Sequence, residues 1–549
     1  MKSSIPAIDW IKNYNKDDLR GDISAGLIVA IMLIPQGMAY AMLAGIPPVI
    51  GLYAATVPLI IYALFGTSRQ LAVGPVAMVS LLVLAGVSTI AEPGTNEYIS
   101  LVLLLMLMIG LIQFFMGIFR LGFLVNFLSH SVISGFTSAA AIIIGLSQLK
   151  HLLGVPLQGD KDVLKLIFEV YTRFSEVHIV TFLIGITSIA LLIVIKKLIP
   201  KIPAPLFIVG VSILLTATLQ LDHHGVKIVG DVPQGLPSFS IPTISVESVL
   251  TLLPIAITIS LIGFMESIAM AKAIAAKEKY KIVPNKELVG LGLANIGGSF
   301  FSGYPITGGF SRSAVNYQSG AKTQLATLIT AFIIIATLLF FTGFFYYLPN
   351  AILAAIIMVA VYSLIDIKEA KHLFHIRPLD GWTWVITFAG TLLLGIEQGI
   401  IIGVLFSLLI YIWKSAYPHV AELGYLTEQE VYRNIKRYPH AKTDPTILIF
   451  RIDSDLFFAN TTFLEEKLQE RLLDKPNTKW VILDFTGVNS IDAVAIHSLE
   501  EIMKTHENQI SFLFSGVKGP VRDLLKKAKW QDNLYSALSI DQALLQTKE

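Results

Sequence analysis

Long apolar runs separated by short polar loops occupy the first three quarters of the chain. A helix that crosses the hydrocarbon core of a bilayer needs about 20 mostly apolar residues, and twelve runs approach this length. We therefore predict spanning helices near residues 23–42, 48–65, 99–118, 125–148, 179–196, 204–220, 248–271, 288–302, 323–346, 349–365, 381–394 and 397–415.

Two further apolar stretches are interrupted by glycine and proline near their starts. They read LAVGPVAMVSLLVLAGV at 71–87 and YPITGGFSRSAVNYQSG at 304–320. With the other runs they make fourteen segments, of which they are the third and the tenth, so they hold equivalent positions in two halves of seven. Many secondary transporters consist of inverted repeats that each contribute one broken helix. The pattern predicts a polytopic α-helical membrane protein with a seven-plus-seven inverted repeat.

The pattern changes after Trp413, where charged residues become frequent. The runs TILIFRI (446–452), WVILDF (480–485) and ISFLFSG (510–516) predict strands, and amphipathic stretches near 461–473, 493–506, 519–529 and 539–547 predict helices. Strands that alternate with helices indicate a small α/β domain. We predict a cytosolic N-terminal segment at 1–22, a transmembrane domain at 23–416, a linker at 417–435 and a cytosolic α/β domain at 436–549.

Composition supports the membrane assignment. Of the 549 residues, 54% are hydrophobic and 15% are charged, against about 25% charged in an ordinary soluble protein, and the mean hydropathy is +0.69. These values exclude a soluble globular, disordered or fibrous protein. The formal net charge of +2 gives no support for nucleic-acid binding, and the absence of cysteine excludes disulfides and cysteine metal sites. Residues 1–22 are mixed in charge and do not resemble a cleavable signal peptide.

The distribution of basic residues between loops predicts the orientation of the chain. With the N-terminus in the cytoplasm, the outside loops carry five: Lys150, Lys161, Lys165, Arg173 and Lys227. The inside loops carry fourteen: Arg69, Arg120, Lys196, Lys197, Lys201, Lys272, Lys277, Lys279, Lys281, Lys286, Lys322, Lys368, Lys371 and Arg377. This bias follows the positive-inside rule, so we predict a multi-pass protein of the cell membrane with both termini in the cytoplasm.

The two interrupted segments are the first candidates for an anion site. A helix N-terminus presents free N–H groups and about half a positive elementary charge, so two that face each other attract an anion without a charged side chain. We predict that Gly74, Val76 and Ala77 line one N-terminus and that Gly309 and Phe310 line the other. The alternative is that glycine and proline merely kink these helices or permit close packing.

Two ionisable residues lie inside predicted segments. Arg312, beside Ser311, follows the glycine pair, and an Arg within a span costs at least ~2.5 kcal/mol, so we predict that it balances the charge of a substrate anion. Alternatively, it extends to the membrane surface. Glu266 lies between apolar turns, and burial disfavours the charged form of a carboxyl, so it is a candidate to carry a proton or bind Na⁺. Alternatively, Glu266 only neutralises Arg312.

Gln36 and Tyr40 are four residues apart and share one face of the first predicted helix. They could line a cavity, and helix packing is the equally good alternative. The motifs H-E-x-x-H, G-x-S-x-G and G-x-x-x-x-G-K-[ST] are absent from the sequence, so we expect no enzymatic activity, no ATP-driven transport, no cofactor and no metal site.

Three motifs and the tail resemble the sulfate permease (SulP) family of anion transporters, to which prestin belongs. The motifs are PQGMAYAMLAGIPPVIGLY (35–53), FGTSRQLAVGPVAMVSLL (65–82) and GGFSRSAVNYQSGAKTQLA (308–326). The resemblance covers nearly the whole chain in order. It implies an inverted repeat of the uracil-permease type with a core domain (segments 1–4 and 8–11) and a gate domain (5–7 and 12–14). It also implies a cytosolic STAS domain and a homodimer.

The resemblance also implies roles for single residues. Gln36 and Tyr40 match positions that line the anion cavity, and Ser311 and Arg312 match the Ser-Arg pair beside the anion in prestin-like members. Val76 stands where some relatives have Phe, so an aromatic contact with the anion is absent here.

A second group of matched positions concerns coupling and regulation. Glu266 matches an acidic position linked to cation coupling, which in similar bicarbonate transporters is Asp followed four residues later by Thr. Here Met270 stands at the later position, which favours protons over Na⁺. In the tail, Asp492 aligns with the STAS signature, but alanine and valine follow where anti-sigma antagonists carry a phosphorylated Ser. A phosphorylation switch is therefore excluded at that position, and Asp492 is predicted to cap a helix.

These observations predict an elevator-type secondary transporter that takes up sulfate or a similar inorganic or small organic dianion together with protons. Two alternatives remain open. One is an uncoupled anion channel or exchanger, or a charge-sensing motor like prestin. The other is a sodium–bicarbonate symporter.

Overall fold

The predicted segments of the first half form helices in a computed structural model of the chain, which describes residues 6–12, 14–123, 129–157, 163–198 and 204–548. The predicted loop residues Lys161 and Lys201, and the first residues of the span predicted at 125–148, lie outside these ranges. The elements are α1 Pro6–Lys12, α2 Leu19–Leu43, α3 Pro48–Tyr53, α4 Val57–Phe65, β1 Val73–Gly74, α5 Ala77–Val87, α6 Asn96–Ile118, α7 His130–Ser147, α8 Leu149–Leu153, α9 Val163–Thr172, α10 Ile179–Leu198 and α11 Ala204–Leu219.

The second half repeats this order of elements. A two-residue strand again precedes a short helix at the tenth segment. The elements are α12 Val246–Lys277, α13 Pro284–Ser299, β2 Thr307–Gly308, α14 Phe310–Gln318, α15 Leu325–Phe340, α16 Asn350–Tyr362, α17 Ile367–Ile376, α18 Pro378–Leu394 and α19 Ile396–Ala416.

The span predicted at 48–65 is one segment in the sequence but two helices in the structure. Pro58 lies in the first turn of α4. A proline inside a continuous helix lacks an N–H donor and its ring clashes with the carbonyl four residues earlier. The helix therefore ends at Tyr53 and restarts at Val57, and the Thr56 hydroxyl donates to the Tyr53 carbonyl at 2.6 Å.

Within the described residues, seven helical spans are long and apolar enough to cross a membrane, and α5, α10, α11 and α15 are shorter apolar helices. The broken segments fall short because each begins with a strand. Helices of the first half pack against helices of the second. α13 contacts α6 and α4, α15 contacts α2, and α12 contacts α6 and α5. A separate set joins α18 to α7 and α16 to α10.

Glycines allow the close contact between α6 and α13. A Cβ atom placed on Gly110 would lie 2.6 Å from the backbone nitrogen of Ile296, and one placed on Gly292 would lie 2.6 Å from that of Phe114. Such distances are too short for any side chain. The two backbones therefore approach each other as closely as they do at other membrane helix interfaces built from small residues.

The chain divides into two compact units, Met1–Leu405 and Phe406–Glu549, with the boundary inside α19. The second unit contains β3 Val420–Leu426, β4 Val431–Asn434, β5 Ile447–Ile452, α20 Thr461–Asp474, β6 Trp480–Asp484, α21 Ala493–His506, β7 Ser511–Ser515, α22 Gly519–Lys527, α23 Asp532–Tyr535 and α24 Ile540–Gln546. The sheet order is β4-β3-β5-β6-β7. β5, β6 and β7 are parallel, and β3 is antiparallel to both β4 and β5.

The assignment of residues 417–435 to a linker is wrong for most of that range. Residues 420–426 and 431–434 form the two antiparallel strands β3 and β4. Ala421 and Leu423 are buried on one face of the sheet. Glu422 between them is also buried, and it pairs with Lys475 at 2.6 Å. The α/β fold therefore starts at Val420.

Candidate functional site

The two broken segments meet through their short strands. β1 and β2 pair in antiparallel fashion, with Val73 opposite Gly308 and Gly74 opposite Thr307. Paired Cα atoms in such a ladder lie about 4.5–5.5 Å apart. Helices α5 and α14 start within three residues of these strands, so their N-termini lie side by side. The strand pairing thus brings the starts of the two broken helices together. That they line one anion site stays a prediction.

Neither N-terminus is capped by a side chain. The residues at the N-cap positions of α5 and α14 are Val76 and Gly309, and neither provides a side-chain acceptor. The first four N–H groups of a helix have no partner within the helix. Two adjacent uncapped N-termini therefore offer several free N–H donors and, together, about one positive charge.

Arg312 lies between the two segments. Its side chain is 3% exposed, and its Nη1 donates to the Pro75 carbonyl at 2.9 Å. A Cβ atom on Gly309 would lie 2.9 Å from Nη2 of Arg312, and one on Gly74 would lie 3.2 Å from it. The guanidinium therefore rests against the bare backbone of both segments, which only glycine permits. Arg312 stays inside the protein rather than extending to the membrane surface.

Most of the hydrogen-bonding capacity of this guanidinium is unused. Nε and Nη2 of Arg312 are buried and have no hydrogen-bond partner, and the same holds for Oε2 of Glu266. Glu266, Tyr40 and Tyr304 are the electrostatic neighbours of Arg312. No ion pair within 4.0 Å joins Glu266 to Arg312, so the alternative that Glu266 only neutralises Arg312 has no direct contact to support it.

The other predicted site residues near these N-termini differ in burial. Helix α2, which carries Gln36 and Tyr40, packs against both α5 and α14. Tyr40 is buried and Gln36 is partly buried, while Val76 and Ala77 are buried at the start of α5.

Two predicted residues on α14 differ from Arg312 in exposure. Ser311 is exposed, and Phe310 is 56% exposed. They therefore lie on the open side of α14. Arg312, by contrast, points into the packed interior.

Sequence reasoning missed the side chains that hold the strands in place. Ser267, on α12 next to Glu266, accepts from the Gly308 N–H at 2.8 Å and contacts the Thr307 hydroxyl at 2.7 Å. Ser313 accepts from the Ala72 N–H at 2.9 Å. These bonds join segments far apart in the chain, so no local pattern in the sequence indicates them.

An amide pair and a hydroxyl pair also hold the backbone near the site. Asn295 accepts from the Ile306 N–H at 3.0 Å, donates to the Ile306 carbonyl at 3.2 Å and donates to Gln113 at 3.1 Å. The Tyr304 hydroxyl contacts Ser80 at 3.1 Å, and Ser80 donates to the Val76 carbonyl at 2.9 Å. The backbone on both sides of the site is thus fixed by buried polar side chains.

Two buried carboxylates fix the loops that flank the broken helices. Asp22 accepts from the N–H groups of Lys322 and Thr323 at 2.7 and 3.0 Å, in the loop after α14. Glu287 accepts from the Thr67 N–H at 2.8 Å and from the Tyr62 hydroxyl, in the loop before β1. Both carboxylates are fully buried. Their hydrogen bonds join these loops to helices α2 and α13, which carry the carboxylates, and this indicates a structural role.

The second unit confirms one prediction at residue level. Asp492 caps α21, with Oδ1 accepting from the Ala495 N–H at 2.7 Å, and its Oδ2 accepts from the Phe458 N–H at 2.9 Å. Within the described residues, no group of three or more His, Cys, Asp or Glu residues could hold a metal ion.

Comparisons with known proteins agree with this architecture. The sulfate permease family profile matches residues 19–387, and the STAS domain profile matches residues 438–543. Sulfate transporter 4.1, chloroplastic, of Arabidopsis thaliana is 43% identical over 521 residues, which cover 92% of this chain and 76% of the relative. High affinity sulfate transporter 2 of Stylosanthes hamata is 35% identical, with coverage of 94% and 81%.

Solved structures show the same fold. The murine Solute Carrier 26 family member A9 anion transporter in the inward-facing state matches with a TM-score of 0.92 at 25% identity, over 99% of this chain and 94% of that one. The transmembrane domain of the cyanobacterial bicarbonate transporter BicA matches with a TM-score of 0.61 at 23% identity, over 72% of this chain and 97% of that one, which shows the fold alone. The chain belongs to the sulfate permease family and is a multi-pass membrane protein with a C-terminal STAS domain.

Proposed function

We propose that the chain is a secondary active transporter that takes up sulfate, or a similar dianion, together with protons. The observation that carries this proposal is the buried Arg312 between two uncapped helix N-termini. The guanidinium contributes one positive charge and the N-termini contribute about half a charge each, so together they match a dianion. The names of the plant relatives, which are sulfate transporters, support sulfate as that dianion.

Glu266 provides a physical route to proton coupling. When Glu266 is ionised, its negative charge offsets part of the positive field at Arg312. When it is protonated, the site regains its full attraction for a dianion. Proton and substrate therefore favour each other's binding, and this coupling is reciprocal by thermodynamic linkage. The lack of any hydrogen-bond partner for Oε2 of Glu266 supports a group that exchanges a proton.

The grouping of the helices supports alternating access. Helices α2, α4, α5 and α6 pack mainly with α12, α13 and α15, whereas α7, α10, α16 and α18 pack mainly with one another. Contacts of α16 with α2 and of α5 with α7 form the interface between the two sets. We propose that the first set moves as an elevator against the second and carries the paired N-termini with it. We further infer that the protein lies in the cell membrane with both termini in the cytoplasm, and that it works as a homodimer.

Uptake by purified protein in liposomes tests this function. Labelled sulfate, bicarbonate, fumarate and chloride are supplied in turn, with an inward proton gradient or an inward Na⁺ gradient. We expect accumulation of sulfate driven by protons and unaffected by Na⁺. Accumulation of bicarbonate driven by Na⁺ would replace the proposal with the symporter alternative. Sulfate or chloride flux that no gradient drives uphill would replace it with a channel or exchanger.

A further inference from the structure

The STAS domain contains a cavity rich in arginine close to the end of the last membrane helix. The cavity has a volume of about 310 Å³, at the lower end of the ~300–1,000 Å³ that is typical of small-molecule sites. Three arginines line it, Arg433, Arg437 and Arg451, together with one carboxylate, Asp453. His419 and Tyr438 also line the cavity. His419 is the third residue after α19 ends at Ala416.

The one carboxylate in the cavity is already engaged. Asp453 pairs with Nε of Arg451 at 2.6 Å and with Nδ1 of His419 at 2.7 Å. Partial burial acts to raise the pKa of Asp453, but the hydrogen bonds from Arg451 and His419 outweigh it and hold that pKa below its usual range. Asp453 is therefore ionised and compensates Arg451.

The other two arginines have no such partner. Within the described residues, the side chains of Arg433 and Arg437 take part in no ion pair or hydrogen bond with a carboxylate. The turn after β4 brings them together, because the N–H groups of Arg437 and Tyr438 both donate to the Asn434 carbonyl, at 3.0 and 2.9 Å. The side chains of Arg433 and Arg437 are both exposed and line the same cavity, so an anion bound there would reduce the repulsion between their like charges.

We propose that this cavity binds a doubly charged oxyanion, a sulfate or phosphate group, held by Arg433 and Arg437. A guanidinium presents N–H donors in a planar fork that matches two oxygens of such a group. The His419 carbonyl accepts from the Asp453 N–H at 3.1 Å, so the cavity adjoins the segment that connects α19 to β3. Occupancy would stiffen this connection. The site does not depend on what the membrane domain transports.

Hydrogen exchange of the full-length protein tests the proposal with a local readout. The protein is placed in nanodiscs of neutral phosphatidylcholine, and inorganic sulfate or phosphate is added. We expect slower exchange in peptides that cover 431–438 and 449–453. The variant Arg433→Gln/Arg437→Gln should need about tenfold or more ligand for the same protection, because it loses charge-assisted hydrogen bonds. Lys526→Gln/Lys527→Gln removes the same charge from two exposed positions of α22 and should respond as the wild type does.

Hydrogen exchange in peptides that cover 305–316 measures anion binding at the membrane site separately. Protection there without protection at 431–453, with free ions or with anionic lipid, would overturn the inference and leave the transport function intact. An equal response from both double variants would overturn it as well. A third arm adds phosphatidic acid to the nanodiscs in place of free ions. Protection at 431–453 that appears only in this arm, and is lost in Arg433→Gln/Arg437→Gln, would assign the bound phosphate to a lipid headgroup.

Discussion

At the level of single residues, we propose that Arg312 binds the anion and that Glu266 couples binding to protonation. A buried charge without an ionic partner is expensive in a protein interior, so the unpaired N–H groups of Arg312 indicate a position completed by a ligand. The carboxyl of Glu266 is near enough to modulate the field of Arg312 and too far to neutralise it by contact. In the proposed mechanism, this separation lets protonation of Glu266 control anion affinity without collapse of the site.

Glu266→Gln should abolish the pH dependence of sulfate uptake in liposomes. The wild type should take up more sulfate as external pH falls, because protonation of Glu266 strengthens dianion binding. A neutral amide resembles the protonated carboxyl but cannot release a proton, so exchange of sulfate for sulfate should survive better than uphill uptake.

Glu278→Gln is the matched control, since Glu278 pairs with Lys322 at 3.6 Å at a partly exposed position. It should keep the pH dependence of the wild type. An unchanged pH profile in well-folded Glu266→Gln would remove Glu266 as the proton carrier.

Gly309→Ala should weaken sulfate binding through a steric effect. Its added Cβ would lie 2.9 Å from Nη2 of Arg312, which displaces the guanidinium. Misplacement of a charged group by about 1 Å can cost about 100-fold, so we expect the KM for sulfate to rise 10- to 100-fold. The backbone of Gly309 has a φ of −81°, which alanine accepts without strain. Gly145→Ala, where the added methyl meets nothing within 4 Å, should leave the KM unchanged.

At the level of elements, the strands before α5 and α14 matter as much as the helices. Pairing of β1 with β2 fixes the distance between two N-termini that are more than 200 residues apart in the chain. Ser267, Ser313 and Asn295 fasten these strands to neighbouring segments. The backbone of the proposed anion site is therefore held in place by buried hydrogen bonds. The proposed elevator requires such rigidity, because the carried domain must keep its ligand during the movement.

Ser267→Ala should lower both stability and sulfate affinity. It removes the acceptor of the Gly308 N–H, and a buried group left without a partner costs about 1–3 kcal/mol. We expect a lower melting temperature in detergent and a raised KM for sulfate.

Ser188→Ala is the control for this change, because Ser188 is buried and bonds only to the Ile184 carbonyl of its own helix. It should shift the melting temperature less and leave the KM unchanged. Equal effects of the two substitutions would mean that Ser267 has no special role at the site.

The sequence was sufficient to locate most helices, the two broken segments and Arg312 between them. Apolar length located the spans, and the paired Gly and Pro interruptions located α5 and α14. The break at Thr56 was missed because apolar residues continue on both sides of it. Strand β3 was missed because buried Glu422 interrupts its apolar pattern, and Lys475, which neutralises it, lies far away in the sequence.

The polar support of the site could not be predicted for a related reason. Ser267, Asn295 and Ser313 bind backbone groups of other segments, so their roles appear only once the fold brings those segments together. Serine and asparagine inside a membrane helix also bond within their own helix, which is the more common arrangement. By contrast, Arg312 was found because a charged residue inside a span is rare enough to be informative alone.

At the level of the whole molecule, the absence of cysteine makes the orientation directly measurable. We predict that Lys527→Cys, in the STAS domain, is labelled by an impermeant maleimide only in inside-out vesicles. His224→Cys, in the loop after α11, should be labelled only in intact cells, where the outer face is accessible. The unchanged chain serves as a control without any thiol. The opposite labelling pattern would reverse the orientation inferred from the basic loops.

The position of β3 at the start of the STAS sheet determines how truncated chains should behave. A chain that ends after Tyr417 loses the whole sheet, whereas a chain that ends at Glu430 retains β3 without its partners β4 and β5. An unpaired strand with apolar residues such as Val420, Leu423 and Leu426 is a template for aggregation. We therefore expect the shorter chain to elute as a single species in detergent and the longer one to aggregate, as size-exclusion chromatography would show. Sulfate uptake by the shorter chain should be reduced, while its melting temperature stays close to that of the full chain. Aggregation of both chains would mean that the membrane domain does not fold independently of the STAS domain.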